Sequence, residues 1–254
     1  MKLFEEKVRI GPKGSELSAV IHRCTSNKVA VLLPGYLDTK DYEHLRELAK
    51  VLAKEGITSV RFDPSGTWQS AGTIRKYSVS QYLKDVKRII AFMYNKKQYE
   101  ACILIGHSLG GRIALLYAPT DTRVTAIIPI MSPSTATSSP QLIKKWKENK
   151  QRISYRDLPN ATGQKEFRVP YTMFQDSKKY SVKHALRTLT IPKLFIAGTI
   201  DKKIPAKIVK EMYNSARFPK EFVLLKGIDH DYRHSAKNIA IVNKNILRFL
   251  KRQV

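Results

Sequence analysis

The reading turns on Ala101-Cys-Ile-Leu-Ile105, followed by Gly106-His107-Ser108-Leu109-Gly110-Gly111 and then by Arg112-Ile-Ala-Leu-Leu-Tyr117. An unbroken apolar run of this length predicts a strand covered on both faces, as in a parallel sheet. The apolar segment after the glycines predicts a helix. A serine with glycines two residues before and two after it suits a sharp, strained strand-to-helix turn that pushes the hydroxyl out over the sheet edge. The helix that starts there aims backbone N–H groups and its positive dipole end at the same point. A nucleophile attacking a carbonyl needs this combination, an exposed oxygen beside donors for the developing oxyanion.

Outward from this turn, strands and helices alternate. Leu3–Ile10 and Leu17–His22 read as strands joined through Gly11-Pro-Lys-Gly14, and Val29–Leu33 is a short apolar strand closed by Pro34-Gly35. Helical spacing follows from about Tyr42 to Glu55, with Leu45, Leu48, Val51 and Leu52 on one face, and Ile57–Phe62 is the next strand. Ser80–Tyr94 is helical and Val124–Met131 is a strand. After a lapse the order resumes with Lys193–Ala197, Ala206–Ala216, Glu221–Leu225 and Ser235–Arg252 as strand, helix, strand and helix. Such alternation predicts an α/β fold with a mostly parallel central sheet and helices on both faces. The lapse, residues 133–190, is an insertion: the loop Ser132-Pro-Ser-Thr-Ala-Thr-Ser-Ser-Pro140, then basic and aromatic segments without a clean period.

A serine hydroxyl needs a base, and the base an orienting acid. Of the six histidines, His107 adjoins Ser108, but neighbours at such a turn diverge. His22 and His44 read as structural, and His184 lies in the insertion. His230 follows the strand Glu221–Leu225 through the short loop Lys226-Gly-Ile-Asp229, where α/β sites assemble. His234 is the second choice. As a metal pair, His230 and His234 lack a third ligand at matching spacing, so neither metal nor cofactor is expected. Asp201 ends the run Leu194-Phe-Ile-Ala-Gly-Thr-Ile200. Asp229 and Asp231 flank His230 too closely to orient its ring easily, and Asp63 reads as a loop-anchoring carboxylate. Ser108, Asp201, His230 is the chain order that goes with this type of turn.

These segments resemble an α/β-hydrolase of the serine-esterase, monoglyceride-lipase and serine-aminopeptidase-like group, over roughly residues 28–132 and 190–253. The segments Leu32-Leu-Pro-Gly-Tyr36, Val60-Arg-Phe-Asp63, Gly106–Gly111, Ala197-Gly-Thr-Ile-Asp201 and Gly227-Ile-Asp-His230 carry the likeness. The resemblance implies an α/β-hydrolase core of residues 1–132 and 191–254, with 133–190 as an inserted cap. It implies an oxyanion hole from the N–H groups of Tyr36 and Leu109. Two positions depart from the pattern. Pro34 stands where the family has a histidine, and Trp68, in Gly66-Thr-Trp-Gln-Ser70, stands where it has a glycine. The insertion holds Trp146, Tyr155, Phe167, Tyr171, Phe174 and Tyr180, either as its own small core or, in part, as pocket lining.

The expected activity is therefore serine carboxylic-ester hydrolysis through an acyl-enzyme on a small-molecule ester, uncharged or acidic; related cap-bearing esterases include feruloyl-type enzymes. Acyl transfer, amide or peptide hydrolysis and C–C bond cleavage use the same residues. A distant alternative is a non-catalytic polyanion binder, because 46 Lys+Arg against 21 Asp+Glu give +25. The charge is spread, however, with 12 basic and 4 acidic residues in the insertion, and no basic stripe interleaved with aromatics stands out. A solubilising surface is the simpler reading, and no specific nucleic-acid partner is expected. No apolar run is long enough to span a membrane, and two cysteines make no disulfide framework. A reducing, cytoplasmic setting is expected.

Overall fold

A computed structural model describes residues 5–136 and 138–254. The chain opens with a hairpin, β1 (Glu5–Ile10) and β2 (Leu17–His22), then runs β3 (Lys28–Leu33), α1 (Glu43–Lys54), β4 (Thr58–Phe62), α2 (Val79–Lys96), β5 (Ala101–His107), α3 (Leu109–Tyr117) and β6 (Val124–Ile130). The segment after β6 forms α4 (Pro140–Glu148), β7 (Gln151–Asp157), β8 (Gln164–Pro170), α5 (Tyr171–Ser177) and α6 (Lys183–Thr188). The chain closes with β9 (Lys193–Gly198), α7 (Ala206–Ser215), β10 (Lys220–Leu225) and α8 (Ala236–Gln253).

Eight strands form one sheet in the order β1-β2-β4-β3-β5-β6-β9-β10, parallel from β4 to β10 and antiparallel at the β1–β2 end. Strand alternation feeds two cores. Val29, Val31 and Leu33 join Cys102 and Leu104 under α2 and α3, whereas Ala30, Leu32, Ile103 and Ile105 join the apolar faces of α1 and α8. This two-sided burial is why the parallel strands read as continuous apolar runs rather than alternating ones.

The chain moves from β3 to one side to form β4 and then back to the other to form β5. The carboxyl ends of β3 and β5 therefore flank a topological switch point, where their loops diverge and leave a crevice. The β7–β8 hairpin pairs Arg152 with Val169 and Ser154 with Phe167. It is joined to the sheet domain through side chains: Phe167 packs edge-on against Trp68, and the Tyr42 hydroxyl donates to the Asp157 carbonyl (2.9 Å). Asp176, at the end of α5, accepts from the Ser80 N–H and hydroxyl at the start of α2.

Sequence periodicity missed this hairpin, and burial explains why. Along β7, Arg152, Ser154 and Arg156 face inward, while Ile153 and Tyr155 are 45% and 53% exposed. The polarity is the reverse of an ordinary half-buried strand. Among the described residues no helix is long and apolar enough to cross a membrane.

Candidate active site

Ser108 stands between β5 and α3 with φ 51° and ψ −117°, a strained conformation for a residue bearing a Cβ. Its N–H is fixed by the Ile130 carbonyl (2.8 Å). The flanking glycines are required by close approach. A Cβ on Gly106 would lie 2.2 Å from the Gly110 carbonyl carbon, and one on Gly110 would lie 2.1 Å from the Leu33 carbonyl oxygen. The second contact seats the amino end of α3 against the end of β3. Tyr36 and Leu109 thereby line the same cleft as Ser108, and the Leu109 N–H lies in the first helical turn, which has no intrahelical acceptor.

His230 and Asp201 come from the loops after β10 and β9, and backbone contacts bind those loops together. Thr199 N–H donates to the Leu225 carbonyl (3.0 Å), Ile200 N–H to the Ile228 carbonyl (3.3 Å), and Gly227 N–H to the Thr199 hydroxyl (2.9 Å). Asp201 Oδ1 accepts the N–H groups of Lys203 (2.9 Å) and Ile204 (2.7 Å), which leaves Oδ2 at 2.8 Å from His230 Nδ1. His230 Nε2 lies 3.0 Å from Ser108 Oγ. With Nδ1–H donated to Asp201, Nε2 is the acceptor for the serine hydroxyl.

The other candidates lie elsewhere. His22 is buried in β2 beside Glu5, His184 is exposed on α6, and His234 sits 3.7 Å from Asp157. Asp229 is exposed, and Asp231 pairs with Lys203 (2.5 Å). Asp63 ties two loops together: it accepts from the Thr39 hydroxyl, the Lys40 N–H and ammonium, and the Gln69 N–H. His107 has Nδ1 3.7 Å from Asp38 and its ring against His230, with centroids 4.8 Å apart.

Three features escaped the sequence. The first is a buried group beneath His230, Asp38, His44 and His107, whose donor atoms all lie within 4.8 Å of one another, a set able to hold a metal ion. Burial lowers the pKa of both imidazoles, that of His44 to about 3. Burial also works against the Asp38 charge, but His107 and Arg156 outweigh it and hold the carboxyl well below the usual range. The second is the support of the Tyr36 loop where Pro34 replaces histidine. The Tyr82 hydroxyl donates to the Pro34 carbonyl (2.9 Å), the Leu37 N–H donates to the Tyr77 hydroxyl (3.1 Å), and Trp68 Nε1 donates to the Leu37 carbonyl (2.8 Å). The third is Arg156, whose guanidinium donates twice to the Tyr36 carbonyl (3.0 and 2.7 Å).

The cleft holds about 770 Å³, within the range of small-molecule sites. Trp146 and Phe174 line it, whereas Tyr155 is exposed and the Tyr180 hydroxyl contacts Ser80.

The family model for serine aminopeptidase, S33, matches residues 25–181. The palmitoyl-protein thioesterase ABHD10, mitochondrial, of Rattus norvegicus is 26% identical over 217 residues, covering 83% of this chain and 71% of that protein. The human protein of the same name is 23% identical over 216 residues, covering 81% and 68%. Among solved structures, mouse alpha/beta hydrolase domain-containing protein 10 superposes with a TM-score of 0.77 at 19% identity, over 98% of this chain and 100% of that one. Ferulic acid-bound Est1E from Butyrivibrio proteoclasticus gives 0.78 at 17% identity, over 97% and 98%. The family match spans more than half of the chain, and the sheet order and flanking helices agree with it: the protein belongs to the serine aminopeptidase S33 family and is a serine hydrolase of the α/β-hydrolase fold.

Proposed function

We propose that the protein hydrolyses carboxylic esters, oxoesters or thioesters, through an acyl-enzyme on Ser108, with residues 133–190 as the cap over the site. The observation that carries this is the placement of His230 between Ser108 Oγ (3.0 Å) and Asp201 Oδ2 (2.8 Å) at the edge of the cleft. His230 takes the Ser108 proton as Oγ attacks the acyl carbon, and Asp201 stabilises the imidazolium that forms. The N–H groups of Tyr36 and Leu109 receive the oxyanion. As the tetrahedral intermediate collapses, His230 protonates the departing alcohol or thiol. Water, activated by the same imidazole, then attacks the acyl-enzyme and releases the acid. The cycle draws on protein groups and water. The names of the relatives, a thioesterase and a protein crystallised with ferulic acid, support an acyl substrate. The free thiols of Cys24 and Cys102 suit a reducing compartment, and a cytoplasmic setting is part of this proposal.

The test is hydrolysis of 4-nitrophenyl butyrate and labelling by a fluorophosphonate probe. Wild-type protein should do both and Ser108→Ala neither. Undiminished turnover in the variant would refute the assignment.

A further inference from the structure

The cleft above Ser108 is lined by four cationic side chains, Arg112, Arg152, Arg156 and Lys203, and by two carboxylates, Asp38 and Asp231. Three of the cations are engaged. Arg112 donates to the Ser177 hydroxyl and carbonyl and to the Tyr180 carbonyl (2.6, 2.9 and 2.8 Å). Arg156 holds the Tyr36 carbonyl and lies 3.7 Å from Asp38, and Lys203 pairs with Asp231. Both carboxylates are thereby matched. Arg152 is left: among the described residues its guanidinium has no ion-pair partner, and it rests beside the Trp146 ring, 5.8 Å from the centroid. The strand enforces this placement. Arg152 shares the inward face of β7 with Ser154 and Arg156, at the cost of turning Ile153 and Tyr155 to solvent.

We infer that the cleft accepts an ester bearing a carboxylate away from its scissile carbonyl, and that Arg152 is the receptor for that carboxylate. This rests on the ester-hydrolase reading above. A guanidinium presents a planar fork of donors that matches a carboxylate with two parallel hydrogen bonds, and it gains most where water is partly excluded. The guanidinium lies over the Trp146 ring, and among the described residues none of its donors is hydrogen-bonded. The net charge of +25 adds long-range attraction for an anionic substrate.

Matched pairs of esters test this: mono-4-nitrophenyl adipate against 4-nitrophenyl hexanoate for the acyl arm, and the hexanoyl esters of 4-hydroxybenzoate and 4-methylphenol for the alcohol arm. Wild-type kcat/KM should favour the charged member of at least one pair by about tenfold or more at low salt, and the preference should shrink as salt rises. Arg152→Gln should bring that ratio down to near unity, whereas Lys144→Gln, on the exposed face of α4, should keep the wild-type ratio. Absence of a charged preference in both pairs, or its survival in Arg152→Gln, would overturn the proposal. If no ester is turned over, the hydrolase reading fails separately. Calorimetric titration of monoethyl adipate and ethyl hexanoate into Ser108→Ala then decides: saturable binding of the anion alone, lost on adding Arg152→Gln, upholds the receptor, and no binding removes it.

Discussion

Trp68 and Leu37 both hold positive φ, 43° and 57°, and the indole N–H of the first donates to the carbonyl of the second over 2.8 Å. The two lie on different loops, after β4 and after β3, and the bond ties these loops together on one side of the crevice. Where the family pattern has a glycine, which adopts such φ freely, this chain has a tryptophan that accepts the strain and gains a tether for the Tyr36 loop. Trp68→Phe keeps most of the packing against Phe167 and removes the bond. It should lower kcat/KM for 4-nitrophenyl butyrate by about tenfold, because small displacements of positioning groups are expensive. Urea unfolding should show a loss of about 1–2 kcal/mol. Unchanged kinetics would mean that the loop is held without Trp68.

Asp201 is expected to act by fixing the tautomer and tilt of His230. Asp201→Asn preserves size and can still meet the backbone donors at Oδ1, but its amide offers the wrong partner to Nδ1–H. A fall in kcat on the order of 10⁴ is expected, with slower fluorophosphonate labelling of Ser108. A loss smaller than about tenfold would point to a different acid.

His44 gives the fold a pH response. Burial holds its pKa to about 3, against 6.5 for the free side chain. Between those values the unfolded chain binds a proton that the folded chain does not, so stability rises with pH in this window and is lost as pH falls through it. From pH 6.5 to 4.5 the loss from His44 should amount to about 2 kcal/mol. His44→Phe, which retains a ring against His107 and Tyr232, should remove that part of the slope in denaturant titrations run at each pH. Parallel slopes for variant and wild type would show that His44 is not buried neutral.

Arg112 lies fully buried one turn along α3 from Ser108, and it spends its donors on the junction between α5 and α6. Arg112→Leu would take the guanidinium donors from the buried Ser177 hydroxyl and carbonyl and from the partly buried Tyr180 carbonyl. A destabilisation of about 2–4 kcal/mol is expected by urea unfolding. A change of a few tenths would mean that water replaces the guanidinium.

The central strands were legible because they are covered on both sides. Val29–Leu33, Ala101–Ile105 and Val124–Met131 read as unbroken apolar runs and lie in the structure within β3, β5 and β6, each of which adds or drops a residue or two at its ends. Ser108 and Asp201 were legible as candidates because each follows such a run, and His230 because it follows the edge strand β10, the ends of parallel strands converging. Inside residues 133–190 that logic fails. The inward positions of β7 are Arg152, Ser154 and Arg156, so a pattern reader looking for buried apolar residues sees noise. Nor could spacing reveal Asp38, His44 and His107, which are assembled from three separate elements. The burial of His44 was equally hidden, although the apolar face formed by Leu45, Leu48 and Leu52 runs beside it.

Arg156 reaches down from the hairpin to grip the carbonyl of Tyr36 with two donors. The β7–β8 hairpin is thus also a brace for the Tyr36 loop. Replacing residues 133–190 by a foreign segment would strip that loop of both bonds unless the graft carried a cation at the same height, so segment swapping is constrained at one position and freer elsewhere.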